Sequence, residues 1–255
     1  MIRLLSYNVH RCLGLDRRLD VGRIAAVIAA ASPDIVALQE VDVGRARTGG
    51  VDQAHRLAER LRMAFRFHPA LKVKEELYGD AVLTRFPERL IKAGPLPGYA
   101  RIPQLEPRGA LWVAIQVAPG RELQLINTHL GLAPKEAQNQ ARALVGPEWL
   151  GSAARRDPLI VVGDLNATST TLVYRILTAH LSDAYRLRPR HRPRLATFPT
   201  AVPVLRIDHA LVSAGIRIRA MAVSAEPLAR LASDHLPVIV DFDLSEESAA
   251  SAARA

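Results

Sequence analysis

Four apolar runs of this chain stop on a hydrogen-bonding or charged side chain, and two more start directly after one. Leu4-Leu5-Ser6-Tyr7 stops at Asn8, and Ile35-Val36-Ala37-Leu38-Gln39 stops at Glu40. Leu125-Ile126-Asn127-Thr128 stops at His129, and Leu159-Ile160-Val161-Val162-Gly163 stops at Asp164, with Asn166 two residues on. Asp208 precedes Ala210-Leu211-Val212, and Asp234-His235 precedes Leu236-Pro237-Val238-Ile239-Val240. Short apolar runs of this kind read as buried strands. In a mixed or antiparallel sheet one strand's end shares a rim with its neighbour's start, so these groups are expected along one edge. Taken singly, each is an ordinary turn or cap residue. Six such ends together, all of types that metal and phosphoryl chemistry use, point to a site held on a rigid scaffold.

The intervening segments supply helices. Asp20 reads as an N-cap, with Val21, Ile24, Ala25 and Ile28 at helical spacing behind it and Ser32-Pro33-Asp34 as the stop. A second amphipathic helix is expected near 52–62, a third over 135–155 broken at Gly146-Pro147, and a short one near 169–179. Residues 64–94 read mostly as strand. Four prolines in 95–107 mark a rigid surface loop, and Pro119-Gly120 marks a turn between strands 109–118 and 123–129. Strands near 206–213, 216–224 and 236–243 follow. The strands are too many for a simple doubly wound sheet, so an α/β domain of two packed sheets with helices outside is expected. The domain is expected to span residues 1–244, followed by a Ser/Ala-rich disordered tail at 245–255.

The formal charge is +9, and the basic residues are four lysines (Lys72, Lys74, Lys92, Lys135) and thirty arginines. Arginine forks suit phosphate oxygens, so a polyanionic partner is expected beyond any genome-level taste for arginine. A single cysteine, Cys12, excludes an intrachain disulfide. No signal peptide is read at the N-terminus, and no uncharged apolar run approaches membrane-spanning length. The expectation is a cytoplasmic monomer without stable membrane association.

The polar set matches one chemistry. Mg²⁺ takes one or two carboxylates and leaves its other positions to water and phosphate oxygens. Glu40 fits a direct ligand with the Asn8 amide beside it, and Asp234 fits a second carboxylate. Mn²⁺ is the alternative cation, since both accept oxygen ligands; no His or Cys pair has zinc spacing. Asp164 and Asn166 suit binding and activation of water. Asp208 and His235 suit a carboxylate–imidazole pair, which raises the imidazole pKa and orients the ring. His129 and Arg108 suit other phosphate oxygens.

These residues stand within motifs that resemble the endonuclease/exonuclease/phosphatase (DNase I-like) superfamily. In order they are Ser6-Tyr7-Asn8-Val9, Ala37-Leu38-Gln39-Glu40-Val41, Gly79-Asp80-Ala81-Val82-Leu83-Thr84-Arg85-Phe86-Pro87, Pro107-Arg108-Gly109-Ala110, Asn127-Thr128-His129-Leu130, Gly163-Asp164-Leu165-Asn166, Arg206-Ile207-Asp208-His209 and Ser233-Asp234-His235-Leu236-Pro237. The resemblance runs from Leu4 to about Asp243. It implies a four-layer α/β/β/α sandwich. It also implies Asn8 and Glu40 as a metal-site pair, and Asp164 and Asn166 as the pair handling nucleophile and phosphate. Asp208, Asp234 and His235 match the acidic partners and the essential histidine, His129 a second active-site histidine, and Arg108 a phosphate contact. Two positions depart: His10 stands where abasic-site endonucleases usually carry Asp, and Asp80 where many relatives carry Asn, so Asp80 stays outside the candidate set.

On this reading the substrate is a phosphodiester, with a nucleic-acid backbone first and a small phosphorylated metabolite, inositol phosphate or phospholipid head group as the alternative. Arg45, Arg47 and the alternating Arg186, Arg188, Arg190, Arg192 and Arg194 are candidate backbone contacts. Tyr99, Tyr185 and Phe198 are candidate stacking residues.

Overall fold

The computed structural model describes residues 1–153, 158–189 and 195–245. Its strands are β1 (Ile2–Asn8), β2 (Ile35–Val43), β3 (Ala64–Val73), β4 (Glu76–Thr84), β5 (Glu88–Pro95), β6 (Gly109–Ala118), β7 (Arg121–His129), β8 (Leu159–Asp164), β9 (Ser182–Asp183), β10 (Asp208–Val212), β11 (Ile216–Val223) and β12 (Val238–Leu244). Its helices are α1 (Val21–Ala31), α2 (Gln53–Leu61), α3 (Pro134–Val145), α4 (Leu150–Ala153), α5 (Leu172–Thr178), α6 (Ala184–Leu187) and α7 (Pro227–Ala232).

The strands form two mixed six-stranded sheets, ordered β11-β12-β1-β2-β4-β3 and β5-β6-β7-β8-β10-β9. Between them lies an apolar layer that includes Leu4, Ile35, Val113, Leu125, Ile160, Val240 and Phe242, all essentially inaccessible. Each fully buried side chain of this kind contributes roughly 1.5–3 kcal/mol. Helices α1 and α2 cover the outer face of the first sheet through Ile24, Ile28 and Leu57, and α3 and α5 cover the second through Ala141, Leu144 and Leu177. The four-layer sandwich is therefore present.

Helix α1 starts where Asp20 accepts the Arg23 amide at 2.9 Å and stops where Ser32 turns left-handed at φ 48°; the cap contributes about 1 kcal/mol. The expected break at Gly146-Pro147 separates α3 from α4, because proline has no amide to continue the ladder. Residues 154–157, part of that expected helix, lie outside the described residues. Short β9, α6 and α7 carry too few residues for a readable period. The expected tail falls on 246–255, outside the described residues, apart from Ser245. That residue is tied down: its amide donates to Gly215 O at 2.9 Å and its carbonyl accepts from Arg121 at 2.9 Å.

Strand direction places the site. β1 and β2 run parallel, and β12 and β4 run antiparallel to them. β7 and β8 run parallel, and β6 and β10 run antiparallel to them. The C-terminal ends of β1, β2, β7 and β8 therefore share a rim with the N-terminal ends of β4, β6, β10 and β12. Beneath that rim a buried polar clamp joins the sheets. Gln39 Nε2 donates to Asn127 Oδ1 at 2.7 Å, and Asn127 Nδ2 donates to Leu38 O and Ala81 O at 2.8 and 2.9 Å.

Candidate active site

Five of the nine non-glycine residues with positive φ sit on the loops and strand ends of this rim: His10, Arg11, Cys12, Glu40 and Asn166. Such conformations strain L-residues and persist where surrounding structure holds them. In β2 the pairing register slips between Leu38 and Val41, and Glu40 sits in that bulge at φ 59°. The bulge breaks the alternation of the strand and re-aims one side chain. At the end of β8, Gly163 has φ 140°, and a Cβ there would lie 1.9 Å from Thr128 O. Only glycine lets β8 approach β7 so closely, and that approach sets the position of Asp164.

Asp164 Oδ2 is the hub of the cluster. It accepts from Asn8 Nδ2 at 3.0 Å and faces His129 Nε2 at 3.5 Å and His235 Nε2 at 3.6 Å. Its other oxygen accepts the Asn166 amide at 2.9 Å. Asn8 Nδ2 also donates to Glu40 Oε1 at 3.0 Å, while its Oδ1 accepts the His10 amide at 3.0 Å. The Asn8 amide nitrogen thus faces the two carboxylates and its oxygen faces the turn. His235 Nδ1 lies 2.9 Å from Asp208 Oδ2, and its ring packs 4.8 Å from Phe198. Asp208 and Asp164 are direct partners in the β10–β8 ladder, as are His129 and Asp164 in β7–β8.

The electrostatics follow from burial. Burial lowers the His235 pKa, but Asp208, Asp164 and Asp234 outweigh it and raise the value to about 10. Burial beside Asp208 raises Asp164 above the usual carboxylate range, opposed by His235. His129 is held well below its ordinary value by burial, Arg108 and His235. Arg108 Nη1 is 3.1 Å from His129 Nδ1. Guanidinium only donates, so Nδ1 accepts, and the neutral ring carries its proton on Nε2, toward Asp164.

Arg108 is anchored rather than free, with Nη1 2.8 Å from Glu106 Oε1 and 3.4 Å from the Tyr78 hydroxyl. Asp234 is half-buried. Its Oδ1 lies 3.6 Å from His10 Nδ1 and 3.4 Å from Ser233 Oγ. Asn166 Nδ2 donates to Leu130 O at 2.8 Å and lies 3.1 Å from His129 Nε2. The structure thus brings Asn8, Glu40, His129, Asp164, Asn166, Asp208 and His235 into one contact network. Arg108 joins through His129, and Asp234 stands beside His10.

Two residues outside the candidate set belong here. Ser233 Oγ donates to Asn8 O at 2.8 Å and accepts the His235 amide at 3.2 Å, tying β1 to the histidine loop. Asp80, on β4, is buried within electrostatic reach of Arg108, Glu40 and Asp164. Burial raises its pKa, Arg108 lowers it, and the two carboxylates raise it again, to about 8. Its place amid apolar strand residues, next to Gly79, was the readable signal.

Buried carboxylates of this density need a counter-charge, and the donor set fits a hard divalent cation. Asp164, Asp208 and His235 offer ligand atoms within 4.8 Å of one another. His235, however, is bonded to Asp208 and shifted toward its cationic form, which disfavours it as a ligand. Glu40, with Asp164 and Asp80 nearby, offers oxygens alone.

Sheets, helices and a carboxylate–imidazole cluster on their shared rim define a phosphoric ester hydrolase of the DNase I-like sandwich class. A model of the Endonuclease/Exonuclease/phosphatase family matches residues 5–235, and the chain belongs to that family. Enzymes of the family use divalent metals. No curated protein matches the chain. Among solved structures, an endonuclease/exonuclease/phosphatase from Beutenbergia cavernae superimposes with a TM-score of 0.79 at 26% identity, over 96% of this chain and 72% of that one. A mannosyl-6-phosphatase from Bacteroides thetaiotaomicron gives 0.77 at 20% identity over 96% and 100% of the two chains. The human Nocturnin catalytic domain with bound sulfate gives 0.70 at 22% over 96% and 93%.

Proposed function

We propose that this chain hydrolyses phosphodiesters with the help of Mg²⁺ or Mn²⁺. The observation that supports this best is the unbroken run Asp208–His235–Asp164–Asn8–Glu40, which joins an orienting carboxylate, a cationic imidazole, a basic carboxylate and an oxygen ligand. In the reaction a water oxygen bonds to phosphorus and the P–O bond to the leaving alcohol breaks. Asp164, with Asn166 beside it, takes the water's proton. His235, held by Asp208, donates to a phosphate or leaving oxygen. Glu40 would hold the cation, with Asp80 in electrostatic reach of it and Asp234, beside His10, as a further carboxylate of the rim; Asn8 orients Glu40 and Asp164. When bound, the cation neutralises phosphate charge. Arg108 keeps a partnerless Nε as a donor for a remaining phosphate oxygen, and His129 stands between Arg108 and Asp164.

Two substrate classes divide on the surface around this centre. Net charge of +9 favours a nucleic-acid backbone. Several of its candidate contacts are committed elsewhere, though. Arg47 is bidentate to Asp42 at 2.8 Å and Arg45 pairs with Glu76 at 3.4 Å. Tyr185 has Arg188 and Arg206 over its ring at 3.9 and 4.4 Å, and Phe198 packs on His235. Arg190, Arg192 and Arg194 lie outside the described residues. Leu132, Val202 and Val204, exposed by 75, 66 and 66% on connections that meet strand ends of this rim, favour an amphiphilic phosphodiester. The test is metal-dependent product release from plasmid DNA, single-stranded RNA, bis-p-nitrophenyl phosphate, inositol phosphates and phospholipid vesicles, with His235→Ala as control. Turnover of lipid but not nucleic acid is expected; processive nucleic-acid cleavage with a steep salt dependence would reverse the order.

A further inference from the structure

The segment Arg206-Ile207-Asp208-His209 brings Asp208 into the site and places two more ionisable side chains just behind it. His209 is wholly buried, and only 14% of the Arg206 side chain is exposed. Arg206 grips Asp183, a buried carboxylate that caps α6. Its Nη2 donates to Asp183 Oδ2 at 2.7 Å and its Nη1 to Oδ1 at 3.4 Å. The Tyr174 hydroxyl and the Tyr185 amide donate to the same carboxylate at 2.7 and 2.9 Å. Burial pushes the Asp183 carboxyl up, but Arg206 and Tyr174 outweigh it and hold it below the usual carboxylate range. The guanidinium also lies 4.4 Å over the Tyr185 ring and 5.9 Å over that of Tyr174. Both terminal nitrogens of Arg206 are therefore engaged inside the protein, and the side chain is a strut rather than a phosphate contact.

From Arg206 the contacts run on to the loop that carries Asp164 and Asn166. Arg206 Nη1 lies 3.0 Å from His209 Nδ1, and His209 Nε2 lies 2.7 Å from Ala167 O. Guanidinium only donates and a carbonyl only accepts, so Nδ1 accepts and Nε2 carries the proton. Burial and Arg206, opposed by Asp183, hold the His209 pKa down at about 4, so the ring stays neutral and keeps this tautomer at neutral pH. Ala167 follows Asn166, whose φ of 46° is left-handed and persists because neighbours fix it. The same turn is fastened at a second point, where the Leu165 amide donates to Ile207 O at 2.9 Å. Both fastenings come from the segment that carries Asp208, and His209 pairs with Gly163 in the β10–β8 ladder. His209 thus fixes the far end of the turn that aims Asp164 and Asn166, where a shift of about 1 Å costs about 10²-fold in rate.

We propose that Arg206 and His209 are positioning residues for phosphoric ester hydrolysis: anchored on Asp183, they form a hydrogen-bonded relay that fixes the Asp164–Asn166 turn against Asp208. This rests on the reading of Asp164 and Asn166 as the groups that handle the attacking water. The test uses three variants of the full chain. His209→Phe keeps a ring of similar size but neither hydrogen bond. His209→Gln has an amide nitrogen that can still donate to Ala167 O. Arg206→Met breaks the other end of the relay at a partly exposed position, and carries the same readings if His209→Phe does not fold. Turnover of bis-p-nitrophenyl phosphate with Mn²⁺ is measured well below each melting temperature, and amide hydrogen exchange of the metal-free chain is followed by NMR. His209→Phe and Arg206→Met are expected to lower kcat by about 10- to 100-fold with KM near the wild-type value. His209→Gln should stay within about threefold of wild type. The Arg206→Met/His209→Phe double variant should lose no more than the worse single one, because both break one relay. The Asn166 amide, which donates to Asp164 Oδ1, should exchange faster in His209→Phe by about tenfold or more, while Val161 and Val162 in β8 keep the wild-type rate. An unchanged kcat in His209→Phe, a His209→Gln variant no better than His209→Phe at equal melting temperature, or additive losses in the double variant would overturn the proposal. A wild type that turns over no ester would sink the reading of Asp164 and Asn166 beneath it. In that event the Asn166 amide still decides the relay, which falls if its exchange is the same in His209→Phe as in the wild type.

Discussion

His235 Nδ1 stands 2.9 Å from Asp208 Oδ2 while Nε2 of the same ring points at Asp164 Oδ2, 3.6 Å away. One imidazole thus bridges two buried carboxylates on adjacent antiparallel strands. A ring so placed is cationic at neutral pH. Its raised pKa, about 10, adds stability that is fully present below pH 6.5 and is lost as pH rises through about 10. Proton NMR of the metal-free protein should therefore show His235 still protonated at pH 8. Asp208→Asn should move its titration midpoint back toward 6.5 and lower kcat.

Asp80 shows a linkage of the same sign in a lower pH window. A carboxyl raised to about 8 in the folded state keeps a proton that the unfolded chain gives up above 3.8, so stability falls as pH rises across that window. Asp80→Asn removes the effect. Calorimetry in EDTA should find the variant melting above the wild type, by a margin that widens from pH 5 to 9.

The Gln39–Asn127 clamp joins the sheets at a point where both side chains are closed off from solvent. Asn127→Ala strips partners from Leu38 O, Ala81 O and the Gln39 amide. Each orphaned buried group costs about 1–3 kcal/mol. Urea unfolding should show a loss of about 3 kcal/mol or more with little change in m-value.

Gly163→Ala places a methyl group against Thr128 O in a backbone conformation that L-residues avoid. The β7–β8 pair must part, carrying Asp164 away from Asn8 and His235. Activity should fall by about 10²-fold or more, with a lowered melting temperature; an unchanged kcat would show that the hub tolerates displacement.

Much of this was readable from residue order alone. Apolar runs that end in Asn8, Glu40, His129 and Asp164 become strands because their side chains fill the sheet interface and outer faces, and chain direction then fixes which ends meet. Asp20 and Gly146-Pro147 mark real helix boundaries because capping and the missing proline amide are local effects. The Glu40 bulge was not readable: its left-handed conformation depends on pairing with β4, which begins only at Glu76, far beyond any local signal. Ser233 looks like any loop serine until Asn8 O is brought to its hydroxyl. Arg108 and Tyr185 illustrate the reverse case. Their residue types invite a ligand, whereas Glu106, Tyr78, Arg188 and Arg206 already occupy much of what they offer.

The central claim is that Glu40 and His235 serve a metal-dependent phosphodiester hydrolysis. The most direct measurement is turnover of bis-p-nitrophenyl phosphate by EDTA-stripped protein to which Mg²⁺ or Mn²⁺ is returned, for the wild type, Glu40→Ala and His235→Gln. Turnover that vanishes with EDTA, returns with metal and drops by about 10²–10⁴-fold in both variants, with melting temperatures near wild type, is the result expected. Turnover indifferent to EDTA, or either variant as active as the wild type, would contradict the account.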